Sequence, residues 1–252
     1  MDKSQKEQEY FLAGIRNLVD LALKQDSMRF SSFLNEQERA LAEPIVKKSK
    51  VPYKFYGGFP DAQRVMLGIF PEGFEMLDEY FPIATFTVSY PESFTLSHRD
   101  FLGTIMAQQI KRETIGDILI DNGKAQIFAD ERIEKVIATQ IDKVGGVGVT
   151  VQRGIDSLIA LTQKFKAIRG SLASLRLDAS VSLVTSLSRE KATRLIKSQA
   201  VLLNYIEKTS GTVTLKEGDI LTVRGYGKFR LTTVGNQTRK GRISVVFDAF
   251  IN

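Results

Sequence analysis

Three cations recur at three-residue spacing late in the sequence: Lys191, Arg194 and Lys197. On a helix that spacing sets them along one ridge, and Arg189 adds a charge at the helix start. Ser188 stands where an N-cap belongs, and the backbone N–H groups of such a terminus suit an anion. A ridge of this kind can neutralise successive phosphates, with affinity that falls steeply as salt rises because each contact releases counterions. The plain alternative is a solvated helix face. Downstream, Arg224, Tyr226 and Lys228 lie between and beside Gly225 and Gly227, which let backbone approach a ligand closely. Tyr226 can stack on an unpaired base or cover a core edge. Asn204 can hydrogen-bond RNA or hold a turn.

A second cationic group, His98, Arg99, Lys111 and Arg112, offers a further RNA contact, or else solvated charges around a helix. Catalytic readings fare worse. His98 is the sole histidine and cysteine is absent, which excludes disulfides, thiolate zinc sites and cysteine nucleophiles. His98-Arg99-Asp100 is reminiscent of a kinase catalytic loop, but Ile105 stands where the metal-binding asparagine belongs. Gly145 to Gly148 lacks the Gly-Lys-Ser/Thr ending of a phosphate-binding loop. No metal, cofactor or small-molecule substrate is expected.

Charge is distributed unevenly. From Val181 to Asn252 there are 12 Lys+Arg against 5 Asp+Glu, a balance of +7, while the preceding residues hold 23 against 24. A near-neutral body carrying a basic segment is the pattern of a polyanion-binding module. Hydrophobic residues at 43% suffice for folded cores. The N-terminal ten residues are polar, unlike a signal peptide, and no apolar run approaches the roughly 18 residues of a membrane span. A soluble, cytoplasmic protein is expected.

The elements that must position these residues follow from periodicity. Phe11, Ile15, Leu18, Val19 and Ala22 recur at helix spacing, and Phe30 to Leu41 reads as a second helix. Lys47 to Pro52 reads as a linker, and Arg64 to Phe70 as β-like. Ile83 to Tyr90 predicts a strand. Ser97 with Asp100 predicts a capped helix. Ile115 to Ile120 and Lys124 to Phe128 predict a hairpin around Asn122-Gly123, with positive φ at both turn positions. A helix from Asp130 to about Asp142 and a further β-like stretch follow. That order is the split βαβ of ferredoxin-like and RNA-recognition folds, without the aromatic signature that lets such motifs stack bases. Helices at Ala179 to Ser186 and Arg189 to Lys197 come next. Strands at Val201 to Ile206, Ile220 to Val223, Phe229 to Thr232 and Ile243 to Phe247 complete the chain.

Arg176-Leu177-Asp178, Ser188-Arg189-Glu190-Lys191-Ala192, Leu195-Ile196-Lys197, Val201-x-x-Asn204, Gly218-Asp219-Ile220 and Arg224 to Phe229 occur in one order over about 55 residues. Together they resemble an S4 domain. Tyr56-Gly57-Gly58-Phe59-x-x-Ala62-x-Arg64, Leu96 to Gly103, and Ile110-Lys111-Arg112-Glu113-x-Ile115-Gly116-Asp117-Ile118 are similar to motifs of the YlmH-like proteins. The resemblance implies an α+β chain: a helical N-terminal segment (1–80), an RRM-like, ferredoxin-like central domain (81–172) and a C-terminal S4 domain (175–252). The last would be an αL-type helix pair on a small antiparallel sheet. It also implies a non-enzymatic protein that binds ribosomal RNA, or tRNA held on the large ribosomal subunit, with links to stalled-subunit handling and to cell division.

Two departures stand out. Gln199 and Ala200 replace the glycine and lysine usual after the second S4 helix, so a different turn is expected there. Gln108 and Gln109 replace a glycine-containing run. S4 domains also accompany pseudouridine synthases and tyrosyl-tRNA synthetases, but the synthase aspartate motif is missing and one histidine cannot supply the synthetase nucleotide motifs. A remaining alternative is an interaction protein of division or envelope assembly that uses its basic segment.

Overall fold

A computed structural model describes residues 3–160, 164–237 and 241–251. The chain separates into two compact units, 1–161 and 162–252. Its architecture is mixed helix and antiparallel sheet, as expected.

The first unit opens with α1 (Lys3–Gln25), whose Ile15, Val19 and Ala22 are buried at helical spacing. Then come β1 (Arg29–Phe30), α2 (Glu36–Ser49), β2 (Tyr53–Tyr56) and β3 (Met66–Ile69). The second helix thus starts later than its apolar residues suggest. Asn35 caps it through a reciprocal capping box with Glu38. It also runs through Lys47, Lys48 and Ser49, read above as linker, and contains Pro44. Ala42 and Val46 hold that turn in the core, so burial overrides the polar sequence. The strands pair in the order β1-β3-β2, giving the N-terminal segment a small sheet beside its helices.

The rest of this unit is β4 (Ile83–Ser89), α3 (His98–Ala107), β5 (Ile115–Asp121), β6 (Lys124–Asp130) and α4 (Glu134–Gln140), then β7 (Lys143–Val144), β8 (Val147–Gly148) and β9 (Thr150–Arg153). The four-stranded sheet has the order β5-β6-β4-β9, the ferredoxin-like arrangement, and β7 with β8 forms a separate minimal hairpin. Ser97 and Asp100 form the expected capping box. The β5–β6 turn differs from expectation. Gly123 has φ 69°, whereas Asn122 is not among the described positive-φ residues. Phe86, Val88, Phe101, Ile105, Ile127 and Ile137 anchor the core between sheet and helices.

In this unit the opposite face of the sheet is covered by its own chain. Phe59 packs against Phe128 with ring centroids 4.6 Å apart and ring planes tilted by 43°. Gln126 is fully buried; its amide donates to Ser157 O (2.6 Å) and accepts from Ile159 N–H (2.8 Å).

The second unit comprises β10 (Lys164–Leu172), α5 (Leu177–Thr185), α6 (Arg189–Lys197), β11 (Val201–Leu203), β12 (Ile206–Glu207), β13 (Ile220–Val223), β14 (Gly227–Gln237) and β15 (Ile243–Ile251). The strands form one sheet, β10-β15-β14-β13-β11-β12. The edge strand β10 pairs with β15 along its whole length, so this unit reaches upstream of residue 175. Val201 to Ile206 is not one strand: Asn204 (φ 50°) and Tyr205 (φ 65°) make a tight turn between β11 and β12. Helices α5 and α6 pack through Leu177, Val181, Ala192 and Ile196 on the sheet face lined by Phe229, Leu231, Val245 and Phe247.

Candidate nucleic-acid interface

The amphipathic α6 presents its basic ridge because Ala192 and Ile196 are buried while Lys191, Arg194 and Lys197 are exposed. Ser188 caps it, its Oγ accepting from the Lys191 N–H at 3.3 Å. The four cations are not equivalent. Arg189 pairs with buried Asp178 at 2.8 Å, and Arg176 reaches the same carboxylate at 3.0 Å. Burial alone would raise the Asp178 carboxyl, but hydrogen bonds from Arg176 and Arg189 outweigh it and hold it below the usual carboxylate value. Arg189 therefore ties α6 to the start of α5. Arg194 pairs with Glu190 one turn away, both side chains being about three-quarters exposed. Such a pair is worth little and yields readily to a phosphate. Lys191 and Lys197 have no ion-pair partner among the described residues.

Beyond α6 the turn keeps its shape without glycine. Gln199 takes φ 58°, its N–H donating to Ile196 O, while the Ala200 N–H donates to Leu195 O. This is a Schellman ending with glutamine in the left-handed position. Gln109 behaves alike after α3, with φ 60°. The expectation of a different geometry at Gln199 is thus corrected: the helix end is retained, and what the substitution at residue 200 removes is a lysine.

Asn204 is occupied by its turn. Its Nδ2 donates to Asp219 (2.9 Å) and its Oδ1 accepts from the Ile220 N–H (2.9 Å). The Arg224–Lys228 segment joins β13 to β14. Arg224 pairs with Glu207 at 2.7 Å, and Tyr226 is 47% exposed at the tip. The Lys228 ammonium sits over the Tyr205 ring (5.1 Å) and the Phe250 ring (4.9 Å). Residue spacing did not flag those rings.

The second cationic group divides as well. Arg112 is half-buried and donates to Ile115 O at 2.6 Å. Burial, then the neighbouring Arg64 charge, push it down to about 10, so it stays charged near neutrality. Partial desolvation and Arg112 lower His98, favouring its neutral form. Arg99 and Lys111 are exposed near the two ends of α3.

The glycine-rich motif and the central motif prove to interlock. Arg64 donates to Ile115 O (2.8 Å), Phe33 O (3.1 Å) and Arg112 O (3.3 Å). Asp117 accepts from the Gln63 and Arg64 N–H groups at 2.6 and 3.3 Å. A Cβ at Gly57 would lie 2.3 Å from Arg64 O, and one at Gly58 2.4 Å from the Phe128 ring. These residues clamp the N-terminal sheet to the central one.

Residues 77–155 match a family model described as "Putative RNA-binding domain in YlmH". Over 249 residues the chain is 27% identical to the ribosome-associated protein quality control protein P2 of Bacillus subtilis (strain 168), covering 95% of this chain and 97% of that protein. These matches support the YlmH-like family, the family model over the central segment and the Bacillus relative over nearly the whole chain. The structure of the cell division protein ylmH from Streptococcus pneumoniae is similar in fold, with a TM-score of 0.52 and 23% identity. That likeness covers 59% of this chain and 92% of the other. In this YlmH-like chain the matched segment holds the ferredoxin-like sheet, while the α6 ridge lies outside it.

Proposed function

We propose that the chain is a non-enzymatic RNA-binding protein that engages ribosomal RNA or tRNA on the large ribosomal subunit through its C-terminal unit. Its setting is translation or stalled-ribosome quality control in the cytoplasm. The observation that carries this reading is the exposed α6 ridge, where Lys191 and Lys197 are uncompensated within a strongly basic unit. Residues 162–252 hold 16 Lys+Arg against 6 Asp+Glu, and residues 1–161 hold 19 against 23. The name of the Bacillus relative supports a ribosomal setting, and the description of the matched family model supports RNA as the ligand. No helix of the described residues is long and apolar enough to cross a membrane. Nothing in this reading calls for catalysis: the one histidine lies beside Arg112 and Asp117, whose polar atoms hold loops in place.

Sedimentation of cell lysate at low and high salt tests it, comparing the native chain with a Lys191→Ala/Lys197→Ala variant. The native protein should travel with the large subunit and leave it as salt rises. The variant should leave at lower salt, because each lost phosphate contact removes about 0.7–0.9 from the slope of log K against log salt. A native protein that stays at the top of the gradient at every salt concentration overturns the ribosomal reading.

A further inference from the structure

The sheet face of the C-terminal unit opposite α5 and α6 carries rings and cations in register. Strand pairing sets Phe165 of β10 directly across from Phe250 of β15, their rings 5.1 Å apart and edge to face. On β14, the Lys228 ammonium lies over Phe250, and the Arg230 guanidinium lies 5.3 Å from Phe250 and 5.7 Å from Phe165. Tyr205 flanks Lys228 from the β11–β12 turn. Arg169 is exposed further along β10, on the side that Phe165 occupies. The acidic residues of this face are Asp248, opposite Arg230 in the pairing, and Glu207, which lies across from Leu202 and pairs with Arg224.

A phenylalanine 41% exposed beside a second ring on a solvated strand is costly unless something covers it. A neutral apolar surface would cover the rings but bring no counter-charge to the cations set among them. A single-stranded nucleic acid satisfies both parts at once, since bases stack on rings and guanidinium planes while phosphates meet ammonium groups. We propose that this face is a stacking platform for unpaired RNA bases, with Phe165 and Phe250 as its floor and Lys228, Arg230 and Arg169 as its phosphate contacts. The assignment rests on the RNA-binding reading and adds to it a surface on the far side of the sheet from α6. It also specifies the ligand form as single-stranded rather than duplex.

Fluorescence anisotropy with a labelled 12-nucleotide single-stranded RNA of mixed sequence, and with a duplex of the same length, tests the platform. In Phe165→Ala/Phe250→Ala the single-stranded affinity should fall about tenfold or more. Duplex affinity and the salt slope should hold, because no charge is removed. Phe165→Tyr should retain single-strand binding, whereas Phe165→Leu, which keeps apolar bulk on the strand, should lose it. Thermal unfolding of each variant checks that the sheet is intact. Unchanged single-strand affinity in a folded double variant overturns the platform, as does an equal loss on both probes. If the native chain binds neither RNA, the parent reading falls and the platform falls with it; native binding that is sensitive to Lys191→Ala/Lys197→Ala but not to the phenylalanine changes removes the platform alone.

Discussion

Two antiparallel sheets in this molecule each carry helices on one face and do opposite things with the other. In the central sheet that face is closed by the unit's own loops, with Phe59 on Phe128 and the Gln126 amide held by the backbone of Ser157 and Ile159. The six-stranded sheet of the C-terminal unit instead leaves rings and cations on its second face. Net charge follows the same division, −4 over residues 1–161 and +10 over residues 162–252. The ferredoxin-like order is the one that RNA-recognition motifs use, yet here the surface they stack bases on is filled. Topology thus says where a binding face can be, and the loops decide whether it exists. In the segment that matches the family model, Arg99 and Lys111 are exposed cations near the two ends of α3.

The largest expected effect comes from opening the closed face. Phe59→Ala removes a side chain that is 5% exposed and leaves Phe128 without the ring packed against it. Urea unfolding followed on the full chain should show a loss of about 3 kcal/mol. A loss below about 1 kcal/mol would mean that the loop only rests on the sheet and that the two faces differ less than their packing indicates. Next is Arg64→Ala, which strips the clamp of its contacts to Ile115, Phe33 and Arg112 carbonyls. Hydrogen bonds from a charged donor in a half-buried setting make about 2 kcal/mol a reasonable cost. Arg64→Lys should recover only part of it, because an ammonium cannot reproduce the planar fork.

Much of this arrangement is written locally. The capping box at Ser97 and Asp100, the alternation of Ile83 to Ser89 and the apolar stripe of α1 each depend on neighbours within a few residues, and all are legible. Three kinds of feature are not. Glu36–Ser49 has Pro44 and a run of lysines in its last turns, and only burial of Ala42 and Val46 reveals it as one helix. Strand β10 is a charged edge whose partner lies about 80 residues away, so its pairing, and with it the Phe165–Phe250 contact, has no local signature. Left-handed turns at Gln109, Gln199, Asn204 and Tyr205 use residues other than glycine, because flanking hydrogen bonds fix the conformation. The candidate site is legible in the same partial way. Spacing puts four cations at α6, but only the fold shows that Asp178 holds Arg189 and that Lys191 and Lys197 stay uncompensated.

That sequestration allows the smallest test of the comparison. The two units each contain a buried or half-buried aspartate beside arginines, with opposite outcomes. Asp117 is raised above its ordinary value, burial outweighing the N–H donors of Gln63 and Arg64, whereas Asp178 is lowered. A lowered carboxylate contributes stability that is fully present above its unfolded value near 3.8 and is lost as pH falls through the folded one. Asp178→Asn should therefore cost about 1 kcal/mol at neutral pH, since its arginine partners are half-exposed and screened. The difference from the native chain should vanish in acid unfolding curves below the folded value. Asp117 has the reverse sign: its ionised form costs stability, so acidification through its folded value favours the first unit. The Asp178 change also releases Arg176 and Arg189 from their carboxylate. If α6 is the phosphate ridge, RNA affinity at low salt should hold or rise in Asp178→Asn although stability has dropped. An affinity that falls in step with stability would instead make the Asp178 contacts, rather than the free lysines, what holds the ridge in a binding shape.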